Sequence, residues 1–294
     1  MKEELHQLVS NALKTSHFDS VAVGIVDFEK KSFESEFFTR CEFQREMSEH
    51  YFDLASLTKP LTLALSYLID PKVFTEEMIL LLEHRAGLPA WGRLSHHSWK
   101  EQVLSYEIVE SDVLYSDFSA LRLQLEIEKV VGMPIYQYVS SHFDNELKNW
   151  LDLTTENCIV TGMRNKKSIC GEVHDDNAFV INERVSHAGL FGTIDGVCRT
   201  LLNIDQNFNL LKTIKPRKSL RFEKGFDTVS NPENSLAGPI SNTQTFGHLG
   251  FTGTSFWVYP HLSKALVILS NETHLCWYSR KILNTFRKDL ASYI

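Results

Sequence analysis

Ser56, Leu57, Thr58 and Lys59 place a hydroxyl and an amine three residues apart at the expected start of a helix, where side chains at that spacing share a face. A serine hydroxyl attacks a carbonyl only when something takes its proton, and a lysine held neutral by burial and neighbouring charge can take it. The tetrapeptide is therefore a candidate nucleophile with its own base. Taken alone it is weak evidence, and reads more readily as an exposed helix start capped by serine. Three further stretches bear on that choice: Leu81 to Pro89 (LLEHRAGLP), Tyr115-Ser116-Asp117, and Gly247 to Thr254 (GHLGFTGT).

The elements that must position these residues follow from hydrophobic spacing. Leu5, Leu8, Val9, Ala12 and Leu13 mark an N-terminal amphipathic helix. Val21 to Val26 and Phe33 to Thr39 read as two strands joined by a polar turn around Glu29-Lys30-Lys31. From Ser56 onward the spacing becomes helical, with Pro60 tolerated in the first turn, and residues 57 to 180 are expected to be mainly helix and loop. Leu121 to Val131 forms a further helix that stops at Gly132 before Pro134. Thr254 to Tyr259 and Ala265 to Ser270 form a hairpin across Pro260 to Ser263, and Trp277 to Leu290 closes the chain as a helix. Strands at both ends with a helical middle predict an α/β fold in one domain. Its antiparallel sheet is flanked by N- and C-terminal helices, with one lobe from residues 1–55 and 190–294 and an inserted helical lobe over 56–189.

Composition excludes several functions. The 294 residues carry a net charge of −7, without the basic surplus that binding a phosphate backbone needs, so no nucleic-acid partner is expected. The apolar runs Leu61 to Ile69 and Met78 to Leu82 are far shorter than the roughly 20 residues of a membrane span, and the first residues lack the apolar core of a signal peptide. Five cysteines, Cys41, Cys158, Cys170, Cys198 and Cys276, show no C-x-x-C spacing, which suits reduced thiols in a cytoplasm. His174-Asp175-Asp176 has the look of a metal corner but lacks further ligands at useful spacing, and no metal or cofactor is expected. His96, His97 and His187 read as loop and packing histidines.

Ser56 to Lys59, the stretch containing His84, Tyr115 to Asp117 and Gly247 to Thr254, in this order, resemble the serine hydrolases related to class C β-lactamases and penicillin-binding proteins. Val173 to Ala178 and His187 to Gly192 resemble segments of the non-lactamase branch, so the likeness runs from about Phe52 to Asn271. It implies a β-lactamase-like fold, with Ser56 as nucleophile, Lys59 as its proton acceptor and Tyr115 as a phenol that passes the proton toward the leaving group. It also implies an oxyanion site between the N–H groups of Ser56 and of Phe251, the latter on an edge strand. Asp117, His248 and Phe251 would face the substrate. Asp117 could instead serve as a local turn or helix cap, and His248 could fill space beside the strand.

Two departures narrow the expected substrate. Asp117 stands where the β-lactamases and penicillin-binding proteins carry asparagine, so an amide donor is replaced by an anion. Leu249 removes the hydroxyl of the third motif, a donor that helps bind a substrate carboxylate. The expected activity is hydrolysis of a small ester or a peptide amide, of esterase or peptidase type, through an acyl-enzyme at Ser56, with a small molecule or short peptide as substrate. A β-lactamase or D-Ala-D-Ala carboxypeptidase is a second reading, and a non-catalytic binding scaffold a third. Oligomeric state is not legible in the sequence.

Overall fold

A computed structural model describes residues 3–40, 50–154, 157–275 and 278–294. Among the described residues there are twelve strands: β1 (Ser20–Asp27), β2 (Ser32–Thr39), β3 (Phe52–Asp53), β4 (Leu147–Asn149), β5 (Gly162–Arg164), β6 (Lys167–Ile169), β7 (Leu190–Gly192), β8 (Phe222–Glu223), β9 (Phe226–Thr228), β10 (Phe246–Leu249), β11 (Ser255–Tyr259) and β12 (Lys264–Ser270). Seven of them form one antiparallel sheet in the order β2-β1-β12-β11-β10-β9-β8, so that the two ends of the chain meet where Val21 pairs with Ser270 and Asp27 with Lys264. The expected hairpin is present, its Pro260–Leu262 turn closed by Ser263 in the left-handed region at φ 52°.

Alternation along the strands gives this sheet two buried faces. Val21, Val23, Leu266 and Ile268 pack with Leu5, Val9, Leu283, Phe286 and Leu290, from the terminal helices α1 (Glu3–Thr15) and α4 (Lys281–Ala291). On the opposite face Ala22, Val26, Val267 and Leu269 join Val197, Cys198 and Leu201 of α3 (Ile194–Phe208) and the main core. α3 lies so close that a Cβ on Gly24 would come 2.4 Å from the Cys198 sulfur, which is why β1 has a glycine there. The closing helix begins at Lys281, and Trp277, where it was expected to begin, lies outside the described residues.

Between the halves of the sheet the chain is helix and loop, interrupted by two smaller sheets, β3-β7-β4 and β5-β6. The amphipathic helix α2 (Asp117–Val131) ends at Gly132 in the left-handed conformation, φ 73°, as its sequence predicts. The segment after Ser56 departs from the expected regular helix. Ala55–Leu57 is a 3₁₀ turn, Pro60–Ala64 a wide π-type turn, and only Leu65–Ile69 is α-helical. Pro60 supplies no N–H, and Thr62 and Ser66 donate their hydroxyls back to the carbonyls of Thr58 and Thr62, so the ladder is rewired around side chains. Among the described residues no helix is long and apolar enough to cross a membrane. Cys158 and Cys170 are half-buried and Cys198 is buried, while Cys41 and Cys276 lie outside the described residues.

Candidate active site

The chain enters the site along β3, which pairs with β7 at Phe52–Gly192 and Asp53–Phe191. Ala55 then takes φ +47°, a left-handed conformation costing a side-chain-bearing residue about 1–3 kcal/mol. The surroundings over-determine it. Asp53 Oδ1 accepts the Ala55 N–H at 2.8 Å, the Leu54 N–H donates to Leu190 O at 2.9 Å, and Leu57 closes the turn on Leu54 O at 3.0 Å. This sharp turn leaves Ser56 half-exposed among buried neighbours, in the first turn of its helix, where N–H groups have no intrahelical acceptor.

One turn further on, Lys59 is 3% exposed and its ammonium meets three acceptors: Asp117 Oδ1 at 2.7 Å, His187 O at 3.0 Å and Ser56 Oγ at 3.1 Å. An ammonium has three N–H donors, so this one is fully used. Burial disfavours the charge, but the Asp117 carboxylate, with help from Tyr115, outweighs it and holds the amine above the ordinary lysine range. Lys59 is therefore a cation at rest, where the sequence predicted a neutral base. The physical reason is the Asp117 carboxylate at 2.7 Å.

Tyr115 lies beside this cation, with Lys59 Nζ 4.9 Å from the ring centre. Burial pushes the phenol above its usual range although Lys59 and Ser56 beside its hydroxyl act the other way, so it stays protonated, and among the described residues that buried hydroxyl makes no hydrogen bond of normal geometry. The ring packs against His84, Phe222 and His248, at centre separations of 4.7, 5.8 and 5.9 Å. His84 Nδ1 accepts the Ser116 N–H at 3.2 Å and so fixes the backbone next to Tyr115; burial keeps its imidazole far below the normal range. Ser116 caps α2, accepting from the Ser119 N–H at 2.9 Å. Asp117 is thus the first residue of the helix rather than its cap, and one of its oxygens is engaged by Lys59.

His248 is buried on β10, which pairs with β9 only at Phe246 and Gly247, so the strand end at His248 and Leu249 is open on that side. Its Nδ1 lies 2.8 Å from Leu249 O, and since a carbonyl only accepts, Nδ1 carries the proton and Nε2 is a bare acceptor. Nε2 is buried without a partner. Burial and then Lys59 push the imidazole down to about 3, so it is neutral.

Phe251 corrects the expectation of a strand position: β10 ends at Leu249, and Phe251 sits 48% exposed in the turn that leads to β11. That turn is fastened to the segment before Ser56. Thr252 Oγ1 donates to Asp53 O at 2.7 Å, Thr254 Oγ1 to Leu54 O at 3.0 Å, and a Cβ on Gly250 would come 2.7 Å from Leu54 O and 1.9 Å from Thr254 Oγ1. The hydroxyls that remain near the third motif therefore dock the turn. From behind, Arg287 of α4 donates to Thr254 O at 2.8 Å.

Two polar groups escaped the sequence reading. His187 is no packing histidine. Its carbonyl holds Lys59, and its Nε2 lies 2.9 Å from Asp175 Oδ1. Although burial opposes the charge, His187 holds the Asp175 carboxyl below its usual range. Asp53, the other, accepts the His174 N–H through Oδ2 at 2.7 Å. The Val173–Ala178 and His187–Gly192 segments were visible as likenesses, but their link to Lys59 and to the turn at Ala55 is purely tertiary.

No family model matches the chain. A protein of Escherichia coli (strain K12) named "Putative D-alanyl-D-alanine carboxypeptidase" is 28% identical over 198 residues, covering 55% of this chain and 45% of that protein. An N-acetylmuramyl-L-alanine amidase of Bacillus subtilis (strain 168) is 26% identical over 198 residues, covering 55% and 44%. The chain thus matches less than half the length of these curated relatives. A crystal structure of a class C β-lactamase superposes with TM-score 0.73 at 11% identity, over 99% of this chain and 97% of that one. The fold is β-lactamase-like, and the names of the curated relatives, a carboxypeptidase and an amidase, agree with the likeness read from the sequence.

Proposed function

We propose that the chain is a serine hydrolase that forms an acyl-enzyme at Ser56 and cleaves a peptide amide or a small ester. The observation that carries this reading is the half-exposed Ser56 hydroxyl 3.1 Å from the Lys59 ammonium, itself joined to Asp117 at 2.7 Å. In this scheme Lys59 takes the Ser56 proton while handing one of its own to Asp117, so a charged lysine still serves as the relay. The serine oxygen bonds to the substrate carbonyl, and the oxyanion is received by the N–H groups of Ser56 and Phe251. Tyr115 protonates the leaving group and is reprotonated from Asp117 through Lys59, so the proton taken from Ser56 departs with the product. Water then releases the acyl group. The relatives' names denote cleavage of amide bonds at alanine, which supports a peptide amide, such as a cell-wall-derived fragment, over a β-lactam. The Asp117 and Leu249 departures weigh the same way.

The test is intact mass spectrometry of wild type and Ser56→Ala after exposure to a fluorophosphonate, p-nitrophenyl esters, D-amino-acid peptides and nitrocefin. A mass shift and turnover in wild type alone support the reading; identical behaviour of both proteins overturns it. One observation favours a second reading, a binding scaffold that has lost turnover: each proton of Lys59 already has an acceptor. An acyl adduct on Ser56 from the esters or peptides that is not released would establish that reading instead.

A further inference from the structure

We infer that Asp53 is a positioning residue for acylation of Ser56: its carboxylate clamps the strained turn before the nucleophile to the loop that starts at His174. The inference rests on the function proposed above. Asp53 is 1% exposed and uses both oxygens on backbone donors, Oδ1 on the Ala55 N–H at 2.8 Å and Oδ2 on the His174 N–H at 2.7 Å. Its own carbonyl accepts from Thr252, in the turn that carries the Phe251 N–H. One residue thus joins the backbone at Ala55 (φ +47°), the turn beside Ser56, and the loop whose next residue, Asp175, holds His187 behind Lys59. A clamp built from two N–H donors needs two acceptor oxygens, which only the ionised carboxyl offers without conflict.

The charges acting on this carboxyl come from the same loop and its neighbours. Asp175 disfavours ionisation and Arg164 favours it, while the His174 imidazole is pushed down by burial and then by Arg164. Burial dominates the two N–H bonds and raises Asp53 to about 7. When the group is protonated one oxygen becomes a donor facing a donor, and one arm of the clamp opens. Acylation therefore rises with pH through 7. Stability moves the other way. The unfolded aspartate ionises near its ordinary value of about 3.9, so between about 4 and 7 only the native state holds the proton, and the stability this confers is lost as pH rises through 7.

The experiment measures the rate of Ser56 labelling by a fluorophosphonate and the melting temperature, from pH 5.5 to 8.5, in wild type and Asp53→Asn. Titration at 7 predicts that the wild-type maximal labelling rate falls about tenfold from pH 8 to pH 6. Asp53→Asn should be slow and flat across that range, with unchanged probe affinity. Its melting temperature should lose the wild-type decline between pH 5.5 and about 7, above which the wild-type curve levels off. A variant with the wild-type rate and profile overturns the inference, as does a merely lower melting temperature with the acidic limb intact. If Asp53→Asn does not fold, the wild-type curves decide: opposite slopes between pH 5.5 and about 7 support the clamp and flat curves overturn it. If wild type is not labelled at all, the proposed function fails, and hydrogen exchange at Ala55 and His174 judges the clamp separately. Faster exchange at both amides in Asp53→Asn supports it; unchanged exchange overturns it.

Discussion

The two sides of the candidate site are built on opposite principles. On the nucleophile side every proton of Lys59 has an acceptor within 3.1 Å, and those acceptors are held in turn, His187 by Asp175 and Asp117 by its place at the start of α2. On the side of β10 the polar atoms are left open, with the Tyr115 hydroxyl and His248 Nε2 both buried and unpartnered, and the hydroxyls of Thr252 and Thr254 turned back onto the backbone. A buried polar group without a partner costs about 1–3 kcal/mol, so the second side is strained in a way that a bound ligand would relieve. The difference teaches that the Lys59 cation is fully hydrogen-bonded in the free chain, whereas among the described residues Tyr115 and His248 keep hydrogen-bonding capacity in reserve.

Lys59→Met should break the comparison most severely. It removes the centre of the satisfied side and leaves Asp117 without its cation, so labelling of Ser56 should fall by at least ~10³-fold, with a loss of about 3–5 kcal/mol in denaturant unfolding. Tyr115→Phe tests the open side. Removing an unpartnered hydroxyl should leave stability unchanged or slightly raised, while the single-turnover acylation rate drops by about 10²-fold. A large loss of stability there would show that the hydroxyl is satisfied in the free protein. Gly250→Ala should push the turn off Leu54 and move the Phe251 N–H, slowing acylation by about 10- to 100-fold with little change in binding of an unreactive substrate analogue. The smallest expected effect, about tenfold slower labelling of Ser56 near neutral pH, is that of Asp117→Asn: the relay loses its proton acceptor, but without the anion burial lowers the lysine toward neutrality, so Lys59 itself takes the Ser56 proton and labelling should rise with pH as it deprotonates.

Much of the frame was legible in the chain. The continuous apolar runs Val21 to Val26 and Ala265 to Ser270, Gly132 at the end of α2, and Pro260 to Ser263 between two such runs are local signals that burial and turn chemistry enforce. Residues after Ser56 were read as regular helix because hydrophobic spacing does not register a missing N–H or a hydroxyl that bonds back to the chain. Phe251 was placed on a strand because the run from Gly247 to Thr254 has no local mark of where pairing stops.

Ser56, Lys59, Tyr115 and His248 were identifiable by type and order, since reactive side chains must be of particular kinds wherever they sit. Their protonation was not. Whether Lys59 is a base or a cation depends on Asp117 lying 2.7 Å away, and whether His248 is charged depends on its burial beside that cation. Asp53 illustrates the division most sharply. Its sequence position says only that it precedes the nucleophile; its role comes from the His174 N–H, 121 residues distant, reaching within 2.7 Å. The sequence by itself determined which atoms are capable of chemistry, because composition and short-range spacing act locally. Only the tertiary structure decided their charges and partners, because desolvation and Coulomb interactions depend on distances through space that no spacing along the chain encodes.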